Sequence, residues 1–189
     1  RRWVSRAALV IALAMIGWFA FGWLSAQTAC AHDPRFACSA RDGQHAIPIR
    51  DPGKSWAYYG RLKSGEFDTY ALAVRRESPI PVNLLIESAD AAAPGRPRAV
   101  VRDQSGSVIA TVSFDRSQPF YEPFSRISYL ATPVRQLRLL PGLYAVAVTM
   151  DRAPSPQRYV LAIGSAERFG IGEIPYVLGA IHRIRARGY

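Results

Sequence analysis

The side chains that could carry chemistry are few and scattered. Two cysteines, Cys30 and Cys38, enclose AHDPRFA, and the three histidines are His32, His45 and His182. A bridge between the two thiols would stabilise the chain by about 2–3 kcal/mol in the chain-entropy picture. With His32 and His45 the same thiols could instead hold a metal, although metal-ligand spacings are usually tighter and repeated. The disulfide is therefore the expected pairing. No histidine stands at a catalytic spacing from a nucleophile or an acid, and neither G-x-S-x-G nor H-E-x-x-H occurs; all three are expected in solvent. Glu66 and Asp68 could share a cation with a loop oxygen, but calcium needs six or more oxygens, and a carboxylate pair beside a turn is expected to be solvated. ERFGIGE lacks the Lys-Ser or Lys-Thr ending of a phosphate loop. The expectation is a chain without catalytic residues, cofactor or metal.

What must position any binding residue begins with a membrane segment. No charge occurs between Arg6 and Asp33, a run of about 25 residues where roughly 20 cross the hydrocarbon. A cleaved export signal has an apolar core of only about 7–15 residues. Residues 1–28 therefore read as an uncleaved anchor, despite the A-x-A pattern of Ala29 and Ala31. Leu9, Ile11, Ile16, Trp18, Phe19 and Trp23 are its membrane residues, with indoles near the span ends. Arg1, Arg2 and Arg6 precede the span, whereas Asp33 and Arg35 balance behind it. That asymmetry puts the N-terminus in the cytoplasm and everything after about residue 30 outside the bacterial inner membrane, where a Cys30–Cys38 bridge persists. Residues 29–44 would form a disulfide-closed stalk.

The formal charge is +10, but six of the 24 basic residues lie before the span or in the last turns of the chain, leaving 18 against 14 acidic ones. This distribution argues against nucleic acid as a partner. It favours acidic phospholipid or an acidic protein surface for the basic tail.

Between residues 45 and 164 the hydrophobic period is two. EFDTYALAV puts Tyr70, Leu72 and Val74 on one face, SVIATVSF does so with Val108, Ala110, Val112 and Phe114, LYAVAV with Tyr144, Val146 and Val148, and YVLAI with Tyr159, Leu161 and Ile163. Each reads as a half-buried strand. Glycine turns at Gly65, Gly106 and Gly142 separate them. With SWAYYGRL, IPVNLLIE and PRAVVRD, this predicts seven to nine strands in an antiparallel, jelly-roll-like β-sandwich. ADAAAPGRP and RSQPFYEPFSRISYLATP read as long loops.

SGEFDTYALAV, VRDQSGSVIATV and LPGLYAVAV resemble the hairpins of bacterial pre-peptidase C-terminal-like domains and related exported jelly-roll modules, over roughly residues 55–163. The resemblance implies an adhesive or accessory β module and carries over no catalytic residue.

Residues 165–189 return to a helical period. Ile174, Val177, Leu178, Ile181 and Ile184 form one stripe, with Pro175 acceptable in the first turn. The stripe is too short to cross a bilayer, and Arg183, Arg185 and Arg187 follow it. An amphipathic helix docking on the membrane surface or a partner subunit is expected; the alternative is a helix that covers the sandwich itself. With the span and the sandwich, it supports an accessory subunit whose partners are the bilayer and integral membrane protein subunits. The alternatives are a free-standing anchored module for an envelope carbohydrate or peptide, with PFYEPFSRISY as its aromatic platform, and an exported enzyme.

Overall fold

The structure is a computed structural model, and it describes residues 32–37, 46–123, 125–168 and 173–189. The anchor residues Leu9, Ile11, Ile16, Trp18, Phe19 and Trp23, the Cys30–Cys38 pair and His45 lie outside the described residues. Among the described residues no helix is long and apolar enough to cross a membrane. Residues Ala31–Tyr189 make one compact unit.

Among the described residues twelve strands form two sheets. One sheet has the order β1 (Asp33–Phe36), β3 (Trp56–Leu62), β12 (Gln157–Ile163), β5 (Ser78–Glu87), β9 (Ile127–Ala131) and β8 (Gln118–Glu122). Its seventh strand, β10 (Arg135–Leu139), pairs with the first half of β5. The other sheet has the order β2 (Ile47–Ile49), β4 (Phe67–Val74), β11 (Gly142–Met150), β6 (Pro97–Asp103) and β7 (Val108–Val112). Because β1 runs parallel to β3 and β2 parallel to β4, the sheets are mixed and not the antiparallel jelly roll expected. The strand count also exceeds the seven to nine predicted.

Alternation places the core as read. Tyr70, Leu72, Val74, Val146, Val148, Tyr159, Leu161 and Ile163 are buried between the sheets. Val108 departs from that reading, since it is exposed at the start of β7. YVLAI is not half-buried: Val160 and Ala162 are covered as well, in a second apolar cluster on the outer face of the seven-stranded sheet. That cluster unites Ala57, Tyr59, Leu85 and Tyr129 with Ile184 of α1 (Ile174–Arg185) and Tyr189 at the chain end. Tyr189 meets Tyr59 edge-on, centroids 5.1 Å apart.

Two segments expected outside the sheets belong to them. The stalk contributes β1, with Asp33 N–H bonding Ser55 O at 2.9 Å and Ala37 N–H bonding Tyr59 O at 2.8 Å. The aromatic loop is the hairpin β8–β9, where Pro119 is tolerated because β8 is an edge strand. ADAAAPGRP starts with a short 3-10 turn, Ser88–Asp90.

Candidate functional site

The terminal helix forms where predicted, with its face turned. Ile184 and Ala180 are 2% and 4% exposed, Val177 and Ile181 half-buried, and Leu178 is 63% exposed. The buried stripe thus runs 177, 180, 181, 184, which is helical spacing, and Leu178 faces away from it. This is the alternative read from the sequence, a helix that covers its own sandwich. Its arginines are also engaged within the chain. Arg187 Nε donates to Glu87 Oε2 at 2.9 Å, and Glu87 is only 3% exposed. Arg183 lies over the Phe36 ring at 4.3 Å and bonds Gly188 O. Arg185 and His182 are exposed.

The outer face of the five-stranded sheet carries no such cover among the described residues. Its outward positions alternate with the core: Phe67, Thr69, Ala71 and Ala73 on β4, Leu143, Ala145, Ala147 and Thr149 on β11, Val100 on β6, and Ile109 and Thr111 on β7. All of them are exposed or half-exposed. The ladders set Ala71 beside Ala145, Ala73 beside Leu143 and Thr69 beside Ala147. Phe67, Leu143 and Ile109 are 44%, 62% and 43% exposed. The β4–β11 half of this face is apolar and uncharged, whereas β6 brings two arginines into the face: Arg102 lies beside Ala145, and Arg98, beside Thr149, pairs with Asp151 at 3.2 Å.

At the sandwich edge, where β1 and β2 end the two sheets, charge is concentrated. Lys54 Nζ donates to Asp33 Oδ2 at 2.7 Å and to both Glu173 oxygens at 3.0 and 3.1 Å. Burial works against the ammonium, but these hydrogen bonds outweigh it and raise its pKa. Arg35 bonds Asp33 at 3.1 Å and is held between the rings of Trp56 and Tyr176, 5.0 and 4.5 Å from their centroids. Lys54 Nζ sits 4.4 Å from the Trp56 centroid. This node ties β1, β3 and the start of α1 together and occupies the aromatic faces itself. Beside it lies a cavity of about 360 Å³ lined by Arg35, Arg50, Trp56, Tyr58 and Tyr176 among others. Arg50 also borders a larger groove of about 580 Å³, whose other walls include Asp51, Arg75, Arg76 and Arg168.

Two further expectations are corrected. Asp68 is not solvated: it is fully buried and accepts the Tyr159 hydroxyl at 2.6 Å, and the Tyr159 and Tyr70 hydroxyls share a bond at 2.7 Å. Glu66 lies at the turn instead, where it accepts Lys63 N–H at 2.8 Å. His32 is partly buried and hydrogen-bonded to the Ser55 hydroxyl, and burial lowers its pKa. Among the described residues no group of three metal-binding side chains converges. Among the described residues of the proposed aromatic platform, Tyr121 is the one strongly exposed ring, at 57%. The arginine groove was missed from the sequence, and its one local signal was the Arg75-Arg76 pair in the turn after β4.

No family model matches the chain, and no curated protein matches it. Among solved structures it is similar to the pre-peptidase C-terminal domain of a collagenase from Bacillus anthracis. The identity is 16% and the TM-score 0.42, over 63% of this chain and 94% of that one. This is a weak likeness of fold to the family named above from its hairpins.

Proposed function

We propose that the chain is a non-catalytic, single-pass accessory subunit of a bacterial membrane protein complex, anchored by residues 1–28. Its sandwich stands on the outer side of the inner membrane and docks on another subunit through the uncovered face of the five-stranded sheet. The observation that carries this reading is the contrast between the two sheets. One has its outer face covered by the chain's own helix and Tyr189. The other presents Phe67, Ala71, Ala73, Leu143, Ala145 and Ile109 with no cover among the described residues. Five strands at about 4.8 Å spacing, some seven residues long, make a face of roughly 500 Å²; its β4–β11 half is a contiguous apolar patch of the kind that marks an interaction site, with Arg102 beside Ala145 as a charged neighbour. The docking role expected of α1 is not proposed again, because its apolar stripe is used within the chain.

The test is to place glutamate at Ala71 and Ala145 and to purify the full chain after mild solubilisation. Partner subunits that co-purify with the wild type should be lost, since two carboxylates would have to be desolvated at the contact, while the melting temperature stays within a few degrees. Unchanged co-purification would remove the sheet face from the reading. Labelling of a cysteine at Ser105 from outside intact cells tests the orientation.

A further inference from the structure

We infer that the groove walled by Arg50, Arg75, Arg76 and Arg168 is a binding site for a multiply charged phosphoryl ligand. The site lies at the sandwich edge and shares Ala73 with the docking face, but none of its arginines belongs to that face. It is assembled from three chain segments: the loop after β2, the β4–β5 turn and the segment after β12. Its base includes the buried side chains of Val74 and Ile80, 6% and 0% exposed, with Ser78 on the wall.

Of the acids near the groove, one neutralises Arg168 and the other is turned to a residue outside it. Asp51 takes Arg168 at 2.9 Å, and Glu77, next to Arg76 in the turn, takes Arg138 at 3.3 Å. Among the described residues no acidic side chain pairs with Arg50, Arg75 or Arg76. Three cations therefore border one groove of about 580 Å³ with a surplus of positive charge. The loop that carries Arg50 is held in place. Asp51 O accepts Trp56 Nε1–H at 2.7 Å and Lys54 N–H at 3.1 Å, while Gly53 O accepts Ser165 and Ala166 N–H at 3.2 and 2.9 Å. Closure around a ligand would thus cost the loop little ordering.

The number and kind of cations select the ligand. A guanidinium offers paired N–H donors that match two oxygens of a phosphoryl group. A terminal phosphoryl group has three free oxygens and up to two charges, enough for more than one guanidinium, whereas a single carboxylate, like a phosphodiester, has one charge and two free oxygens. The aromatic faces nearby are taken by Arg35 and Lys54, which argues against a neutral sugar stacked on Trp56. A lipid headgroup that ends in a phosphomonoester and a soluble phosphoryl polyanion share the required chemistry.

The experiment is isothermal titration of the full chain in neutral detergent with inorganic tripolyphosphate, citrate and glycerol 3-phosphate. Tripolyphosphate should bind more tightly than citrate, and its affinity should fall as sodium chloride is raised. Replacing Arg50, Arg75 and Arg76 with Gln should weaken it at least tenfold, and Arg116→Gln, on an exposed loop away from the groove, should not. If the triple variant melts low, Arg75→Gln alone, exposed in a turn, should still weaken binding severalfold. Binding of glycerol 3-phosphate as well would identify a phosphomonoester headgroup as a sufficient ligand; binding of tripolyphosphate alone would identify a soluble polyanion. Either result supports the site. No tripolyphosphate binding, equal binding of citrate, or wild-type affinity in the variants would overturn it.

Discussion

Truncating Ile184 to alanine separates a helix that belongs to the domain from one that serves a partner. Ile184 is 2% exposed and packs in a cluster with Ala57, Tyr59, Val160 and Ala162 of the seven-stranded sheet. Buried Ile→Ala changes cost about 2–5 kcal/mol, the spread depending on how far the site can collapse. Here the cluster lies beneath a terminal helix that can settle inward, which favours the lower half, about 2–3 kcal/mol. For a chain of this size that lowers the melting temperature by about 5–10 °C. Leu178 supplies the control on the same helix: at 63% exposed its truncation should stay within about 0.5 kcal/mol. The assay is a far-UV circular dichroism melt of the two purified variants beside the wild type. Equal shifts, or a larger shift for Leu178→Ala, would refute the seating of the helix and restore its apolar stripe to a partner.

Three more perturbations probe the interior. In Gly60→Ala the new methyl carbon would sit 2.4 Å from Tyr159 Cζ, so the buried ring must move off Asp68; a loss of about 2–4 kcal/mol from overpacking and a broken buried bond should appear in a urea titration, and a near-neutral result would contradict the packing. Lys54→Met leaves Asp33, fully buried, with Arg35 alone; it should destabilise by about 3–5 kcal/mol, with partial recovery in the double variant with Asp33→Asn, and the absence of recovery would mean the two residues are not coupled. Burial lowers the His32 pKa, while Glu167 and Glu122 pull the other way; the unfolded chain therefore binds the proton more readily, and stability should fall as the pH drops from about 6.5 toward the folded value. His32→Gln should flatten that slope in melts between about pH 7 and pH 5, and an unchanged slope would assign it to other groups.

The parts of the fold that could be read from the sequence are those where one face of a strand meets the core. Tyr70, Leu72 and Val74 alternate with Thr69, Ala71 and Ala73 because β4 has one buried and one open face. The same alternation places Asp68 inside, two residues before Tyr70, and taking it as a solvated partner of Glu66 overlooked that signal. β1 was missed because DPRF is short, charged and proline-bearing, and it is held by its parallel pairing with β3 and by Lys54 from a distant loop. The helix face was misplaced for a related reason. Ala180 is buried and Leu178 is not, and apolarity alone ranks them the other way, whereas a helix lying close on a sheet favours a small side chain at the contact. The groove was illegible because its arginines are supplied by segments near residues 50, 75 and 168, and no local pattern joins them.

The placement of charge changes what the basic excess means. The sequence assigns membrane or partner attraction to Arg183, Arg185 and Arg187, yet Arg187 is bound to the buried Glu87 and Arg183 lies on Phe36. Removing Arg187 leaves a nearly buried carboxylate with the Tyr189 hydroxyl at 3.2 Å as its other described partner. Arg187→Gln should therefore lower stability by about 1–3 kcal/mol, the cost of an under-satisfied buried acceptor. Binding that weakens with added salt should depend on Arg50, Arg75 and Arg76 instead, because those cations meet no acid among the described residues. A salt-sensitive interaction that survives their replacement and is lost with Arg183→Gln and Arg185→Gln, at unchanged melting temperature, would return the electrostatic role to the terminal helix.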